Sequence, residues 1–153
     1  MKISLFIVGK TTFPYVQQGI EDYTKRLGRW VEFDISVIKD SKLQHADLIK
    51  KQEAEYLNAR IQEQDFVILL DERGTQYSSE KFASKISDWQ IHHKRIVFVI
   101  GGAYGFDKNI YDRANATISF SAMTFSHQII RLMFMEQLYR AYTIIHGLPY
   151  HHV

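Results

Sequence analysis

The residues best suited to chemistry gather near the end of the chain, where Tyr150, His151 and His152 follow His146 within a few positions. Adjacent imidazoles without further spaced partners make a poor metal shell. What they suit is proton transfer and donation to an anion, with a tyrosine ring able to stack on a base. The competing reading is an ordinary frayed terminus. His127 stands alone upstream, and a lone histidine is more often a structural hydrogen-bonding group than a catalyst. Gly101-Gly102-Ala103-Tyr104-Gly105 follows an apolar run. It is either a loop that lets a ligand approach backbone amides or a tight connection into a helix. Asp71-Glu72-Arg73-Gly74 also follows an apolar run, and its acid pair suits ribose hydroxyls, a metal or a solvated turn. The dinucleotide fingerprint is missing, because Val8-Gly9-Lys10-Thr11 carries one glycine after the first run. With 0 cysteines, disulfides, thiolate metal sites and thiolate attack on a pyrimidine ring are all excluded.

The elements that must hold these residues alternate. Ile3 to Val8, Phe66 to Leu70 and Arg95 to Ile100 are short, apolar and β-branched, as buried strands are. Val31 to Ile38 alternates and predicts a further strand, and Thr117 to Phe120 a short one. Phe13, Val16, Ile20, Tyr23 and Leu27 paint one stripe on a helix. Lys42 to about Ile61 lacks Gly and Pro and predicts a long helix with a charged outer face. A third helix follows Ser79, and a short one covers Asp107 to Arg113. This order predicts an α/β fold with a mainly parallel sheet flanked by helices, in a single domain spanning residues 1–153. Ligands in such folds collect beyond the carboxyl ends of strands, where Asp71 to Gly74 and Gly101 to Gly105 stand.

The last helix, from about His127 to Ile145, carries Ile130, Phe134, Leu138, Ala141 and Ile145 on one face. Ile129, Leu132, Met133 and Tyr139 cover much of another. Such a helix must be buried on more than one side, and a partner subunit is a natural second cover. Glu136 and Arg140 stand four apart in the order that favours an ion pair. No apolar stretch reaches the length of a membrane span, and MKISLFIVGK reads as a first strand rather than a signal peptide, so a cytoplasmic protein is expected. The net charge of +2 is low for a protein gripping bare nucleic acid through many phosphates.

The segments LLDERG, SSEKFA, FVIGGAYGFD and MTFSHQIIRLMFMEQLYRAYTIIHGLPYHH occur in this order. Together they closely resemble the ribosomal RNA large subunit methyltransferase H family of the SPOUT class, from the first strand to the last residues. The resemblance implies an α/β fold with a C-terminal trefoil knot, a homodimer, and S-adenosylmethionine bent within the knot. Its donor positions fall on Leu70, Gly102, Phe120, Ser121, Ala122, Met123, Thr124 and Phe125. The implied reaction is methylation at N3 of a pseudouridine in the helix 69 loop of 23S ribosomal RNA, on the assembled ribosome, with no role for DNA or a membrane. A preformed ribosomal surface fits the low charge, and a ring nitrogen as acceptor fits the missing cysteine. Tyr150, His151, Arg140 and His127 become the catalytic candidates, with Arg131 nearby, and the order of proton transfer stays open. Two departures stand out. Ser126 precedes His127 where the family has proline, and serine should still cap the helix. His152 and Val153 end the chain where the family ends in lysine or arginine, replacing a permanent charge with a titrating one. Two rivals remain: a related enzyme acting on a transfer-RNA base, and a ribosome-associated factor without turnover.

Overall fold

The computed structural model describes residues 1–152; Val153, the last residue of the expected domain, lies outside the described residues. Five strands form one parallel sheet in the order β2-β1-β4-β3-β5. They are β1 (Lys2–Val8), β2 (Glu32–Ile38), β3 (Phe66–Gln76), β4 (Arg95–Ile100) and β5 (Ala116–Ser119). Between and after them lie α1 (Pro14–Leu27), α2 (Ala46–Asn58), α3 (Ser79–His92), α4 (Lys108–Arg113) and α5 (Ile129–Ile145). The α/β expectation is met, with helices on both faces of the sheet.

Pleating explains why the central strands read as unbroken apolar runs. Ile3, Leu5 and Ile7 point to one face, where they join Ile68, Ile96 and Phe98 beneath α1, α3 and α5. Phe6 and Val8 point to the other, where they join Val67, Leu69, Val97 and Val99 beneath α2 and α4. A parallel sheet covered on both faces leaves no position for a polar alternation.

Three boundaries differ from the sequence reading. The second helix begins at Ala46, not Lys42. Ser41 there accepts from the Leu43 backbone at 3.2 Å and donates to Gln52 at 2.6 Å, offering local bonds that compete with a helical turn. The last helix begins at Ile129, so Gln128 rather than Ser126 holds the cap position, without a side-chain capping bond; the Ser126 hydroxyl still accepts from the Ile129 N–H at 3.0 Å in the turn that leads in. Asp71 to Gly74 does not end a strand. Leu70 and Thr75 both pair with Ile118, and the residues between them bulge out of β3 before the strand resumes. Gly74 is required there, because a Cβ would lie 2.7 Å from backbone atoms of Ile118.

The unusual apolarity of α5 is largely answered within the chain. Phe134, Met135, Leu138, Ala141 and Tyr142 are buried in the core that α1 and α3 share, while Met133 stays exposed. The second cover is a pair of neighbouring helices rather than, in the first place, another subunit. No helix among the described residues is long and apolar enough to cross a membrane.

Candidate active site

A cavity of about 460 Å³ opens at the carboxyl ends of β3, β4 and β5. Its size suits a small organic ligand. Leu70, Gly102, Phe120, Ser121, Met123, Thr124 and Phe125 line it, which is every expected donor position except Ala122. Ile100, Phe106, Ile118 and Ile130 supply apolar wall, and Asp71 and Glu72 bring carboxylates to the rim.

Short local bonds shape the loop from Ser119 to Ser126. The Ser119 hydroxyl donates to the Ser121 carbonyl at 2.8 Å, and the Met123 N–H donates to the Ser121 hydroxyl at 3.0 Å. Thr124 reaches across the cleft and donates to Glu72 at 3.2 Å. Asp71 accepts from the Tyr111 hydroxyl and, at 3.0 Å, from the Arg73 N–H. Burial pushes the Asp71 carboxyl up, but these bonds outweigh it and hold the group below the usual carboxylate range. The acid pair is therefore wired into the rim, and the described residues hold no cluster of metal-ligating side chains.

Gly102 faces inward. A Cβ there would point beneath the loop, 3.0 Å from Oε1 of Glu53. Glu53 is 6 % exposed, its Oε2 accepts from the Ser41 N–H at 3.1 Å, and burial pushes its carboxyl up. A side chain at Gly102 would thus lift the loop into the cleft from below. Glu53 escaped the sequence reading, although the signal was there. It stands four residues from both Ile49 and Leu57, on the stripe that α2 buries.

His127 lines the cavity beside Ile130. Burial, with a smaller contribution from Arg131, lowers its pKa below 6.5, so the ring is neutral at pH 7. Arg131 is the largest fully buried side chain, and burial brings it down from 12.5 to about 10. It donates to the Val8 carbonyl at 2.8 Å and to the Thr11 hydroxyl at 3.0 Å. Next to it Gln128 accepts from the Thr12 N–H at 2.8 Å and donates to the Lys10 carbonyl at 3.0 Å. Together they clamp the start of α5 to the loop after β1. Nothing in the sequence marked Arg131 as a buried clamp.

The tail is docked at the other end of α5. Arg140 donates twice to Oε1 of Glu136, at 3.0 and 2.6 Å, and once to Nδ1 of His151 at 3.0 Å. An arginine only donates, so Nδ1 must accept. The proton of neutral His151 then sits on Nε2, which donates to Glu80 at 2.8 Å. The Tyr150 hydroxyl donates to Glu136 at 3.2 Å, and its ring packs edge-on against Tyr139 with centroids 4.8 Å apart. Burial, then Tyr23 and Glu136, push the Tyr150 phenol above its ordinary value. The expected catalytic residues therefore fall into two groups. Tyr150, His151 and Arg140 meet; His127 does not join them, since Ile129 and Arg140 are about 16 Å apart along the helix axis. His152 is exposed.

A parallel sheet covered on both faces, with a glycine-lined cleft at its carboxyl edge, is the frame of an α/β enzyme that holds a small cofactor or substrate at its strand ends. The family described as "Predicted SPOUT methyltransferase" matches residues 1–151. The chain belongs to this SPOUT methyltransferase family. Among its relatives, the ribosomal RNA large subunit methyltransferase H of Christiangramia forsetii is 45% identical over 156 residues, covering 99% of each chain. The protein of the same name from Bacteroides thetaiotaomicron is likewise 45% identical, with 99% of each chain covered. That of Cytophaga hutchinsonii is 44% identical, covering 99% of this chain and 100% of the relative.

Proposed function

We propose that this methyltransferase transfers a methyl group from S-adenosylmethionine to N3 of a pseudouridine in the helix 69 loop of 23S ribosomal RNA, acting on assembled ribosomes. The observation that carries the reading is the cleft at the strand ends, lined by Leu70, Gly102 and the Phe120–Phe125 loop. The relatives' name, ribosomal RNA large subunit methyltransferase H, supports the substrate class. The residues fit the donor: apolar walls suit a purine ring, the glycine loop leaves backbone accessible, and Glu72 suits a ribose diol. When bound, the donor supplies a methyl carbon on a positively charged sulfur.

The chain's own residues then have three tasks. Gly102 and the Phe120–Phe125 loop hold the donor at the strand ends. His127, neutral at pH 7, can accept the imide proton. Tyr150, His151 and Arg140 stabilise the ring anion or a neighbouring phosphate. A homodimer belongs to this reading and is supported by the exposed apolar Met133 and Leu148 at α5 and just beyond it. The C-terminal trefoil knot also belongs to it, supported by the path of α5 from edge strand β5 back between α1 and α3. A cytoplasmic location follows from a ribosomal substrate.

The test is purified protein with radiolabelled donor, offered ribosomes from cells lacking the gene, naked 23S RNA or total transfer RNA. Label on ribosomes alone is expected. Label on transfer RNA alone would move the protein to the rival class, and no label anywhere, with donor still bound, would make it a binding factor.

A further inference from the structure

A second cavity, of about 260 Å³, lies beside the donor cleft. Ile118, Ser119, Phe120 and Phe125 line both, so the two share a wall. On its far side are Tyr77 and Phe82 on and before α3, and Met133 and Gln137 on α5. The shared wall has one packed ring and one half-exposed one. Phe120 lies parallel to Phe134 with centroids 6.3 Å apart and meets Phe82 edge-on at 6.2 Å. Phe125 is 36% exposed.

The polar groups of this cavity form a pair. Ser79 donates to the Gln137 side-chain carbonyl at 2.9 Å, and the Gln137 amide nitrogen reaches Glu136 at 3.2 Å. Glu80, the next residue after Ser79, holds His151, and Glu136 holds Arg140 and Tyr150. Spacing along α5 tells the same story. His127 and Ile130 line the donor cleft, Met133 and Gln137 line the second cavity, and Arg140 reaches the tail. Within α5, steps of three or four residues put Ile130, Met133, Gln137 and Arg140 on one side of the helix, and His127 lies just before its start. The second cavity therefore stands between the donor cleft and the docked tail.

We infer that this second cavity is the subsite for the acceptor base, taking one planar uracil-type ring turned out of its RNA stack. The inference rests on the ribosomal RNA reading above and names where its substrate sits. At this size the cavity falls below the range of roughly 300–1,000 Å³ typical of drug-sized ligands, which suits a base rather than a whole nucleotide. Enzymes that act on a base commonly hold it between aromatic or apolar side chains and hydrogen-bond its pairing edge. Tyr77, Phe82 and Phe120 provide the first, and Gln137 with Ser79 the second. A primary amide offers a donor and an acceptor together, matching a ring edge that carries an imide N–H and a carbonyl. The ring nitrogen gives its proton to His127, which lines the neighbouring cleft, and its freed electron pair bonds to the methyl carbon past Phe125. The carbon–sulfur bond breaks as it does so, its electron pair remaining on sulfur.

The experiment fills the cavity from two sides. Met133→Trp fills it from α5, and its mass in solution shows whether the dimer proposed at that exposed position survives. Ser79→Phe fills it from α3. Gln137→Leu keeps the volume and removes the amide. Each variant is measured for mass in solution, for adenosylmethionine affinity by calorimetry and for methylation of ribosomes. Both filling variants should bind the donor within about twofold of wild type and lose methylation, while Gln137→Leu should lower kcat/KM by about tenfold to a hundredfold. Normal methylation by a folded filling variant would overturn the inference. Lost donor affinity would overturn it too, by making the cavity part of the donor site. If wild type itself leaves ribosomes unlabelled, it is the substrate reading that fails, so the two failures remain distinct.

Discussion

The strand-end cleft and the C-terminal tail lie toward opposite ends of α5 and are built by opposite means. The cleft is made of backbone: a glycine loop, a bulge in β3 and a serine-pinned loop, with side chains such as Met123 left 77% exposed. The tail is made of side chains, in which Arg140, Glu136, His151 and Glu80 satisfy one another. A site built on backbone should tolerate changes in its exposed side chains and fail when its path is displaced. A site built on a charge network should behave the other way round.

The largest effect is expected at Gly102. Gly102→Val should abolish detectable adenosylmethionine binding by calorimetry while the protein stays folded. Because the new side chain meets Glu53 rather than the ligand, Gly102→Ala combined with Glu53→Ala should bind better than Gly102→Ala alone. Additive losses in that cycle would show that the side chain acts from above the loop instead.

An intermediate effect is expected from truncation after Leu148. Donor affinity should stay within about twofold, stability should fall by about 1–2 kcal/mol from the lost hydrogen bonds and aromatic contact, and ribosome methylation should be lost. Wild-type methylation by this truncated chain would reduce the tail to a packed ornament. Restored activity in a Tyr150–His151 extension lacking His152 would show that the exposed last imidazole is dispensable.

The smallest effect concerns pH. The folded value of His127 lies below 6.5, because burial and Arg131 disfavour its charge. Just below pH 6.5 the unfolded chain therefore takes up more protons than the folded one, so this residue's contribution to stability is present above 6.5 and declines as pH falls through it. His127→Asn should flatten the acid limb of a denaturation series. An unchanged limb would mean that the ring is solvated.

The sheet could be read from sequence because each strand buried on both faces is a short β-branched run, as in Ile3 to Val8 and Arg95 to Ile100. The loop after β4 was legible for a related reason, since Gly101-Gly102 after an apolar run marks a strand end, whereas Phe120 to Phe125 were expected from the family resemblance alone. What could not be read depended on partners distant in sequence. The bulge at Asp71 to Gly74 exists because Leu70 and Thr75 share Ile118. The burial of Arg131 depends on the Val8 carbonyl, 123 residues away. The cover over α5 comes from helices whose packing no local period reveals. The separation of His127 from the tail follows from helix length alone, and was available from counting residues.

Methylation of N3 of a pseudouridine in the large-subunit RNA is the activity proposed for this chain. Mass spectrometry of the helix 69 fragment, from cells with and without the gene, tests it most directly. The pseudouridine in that fragment should be heavier by one methyl group when the gene is present and unmodified when it is absent, with the fragmentation placing the methyl on the ring. An identical methylated fragment from both strains would contradict it.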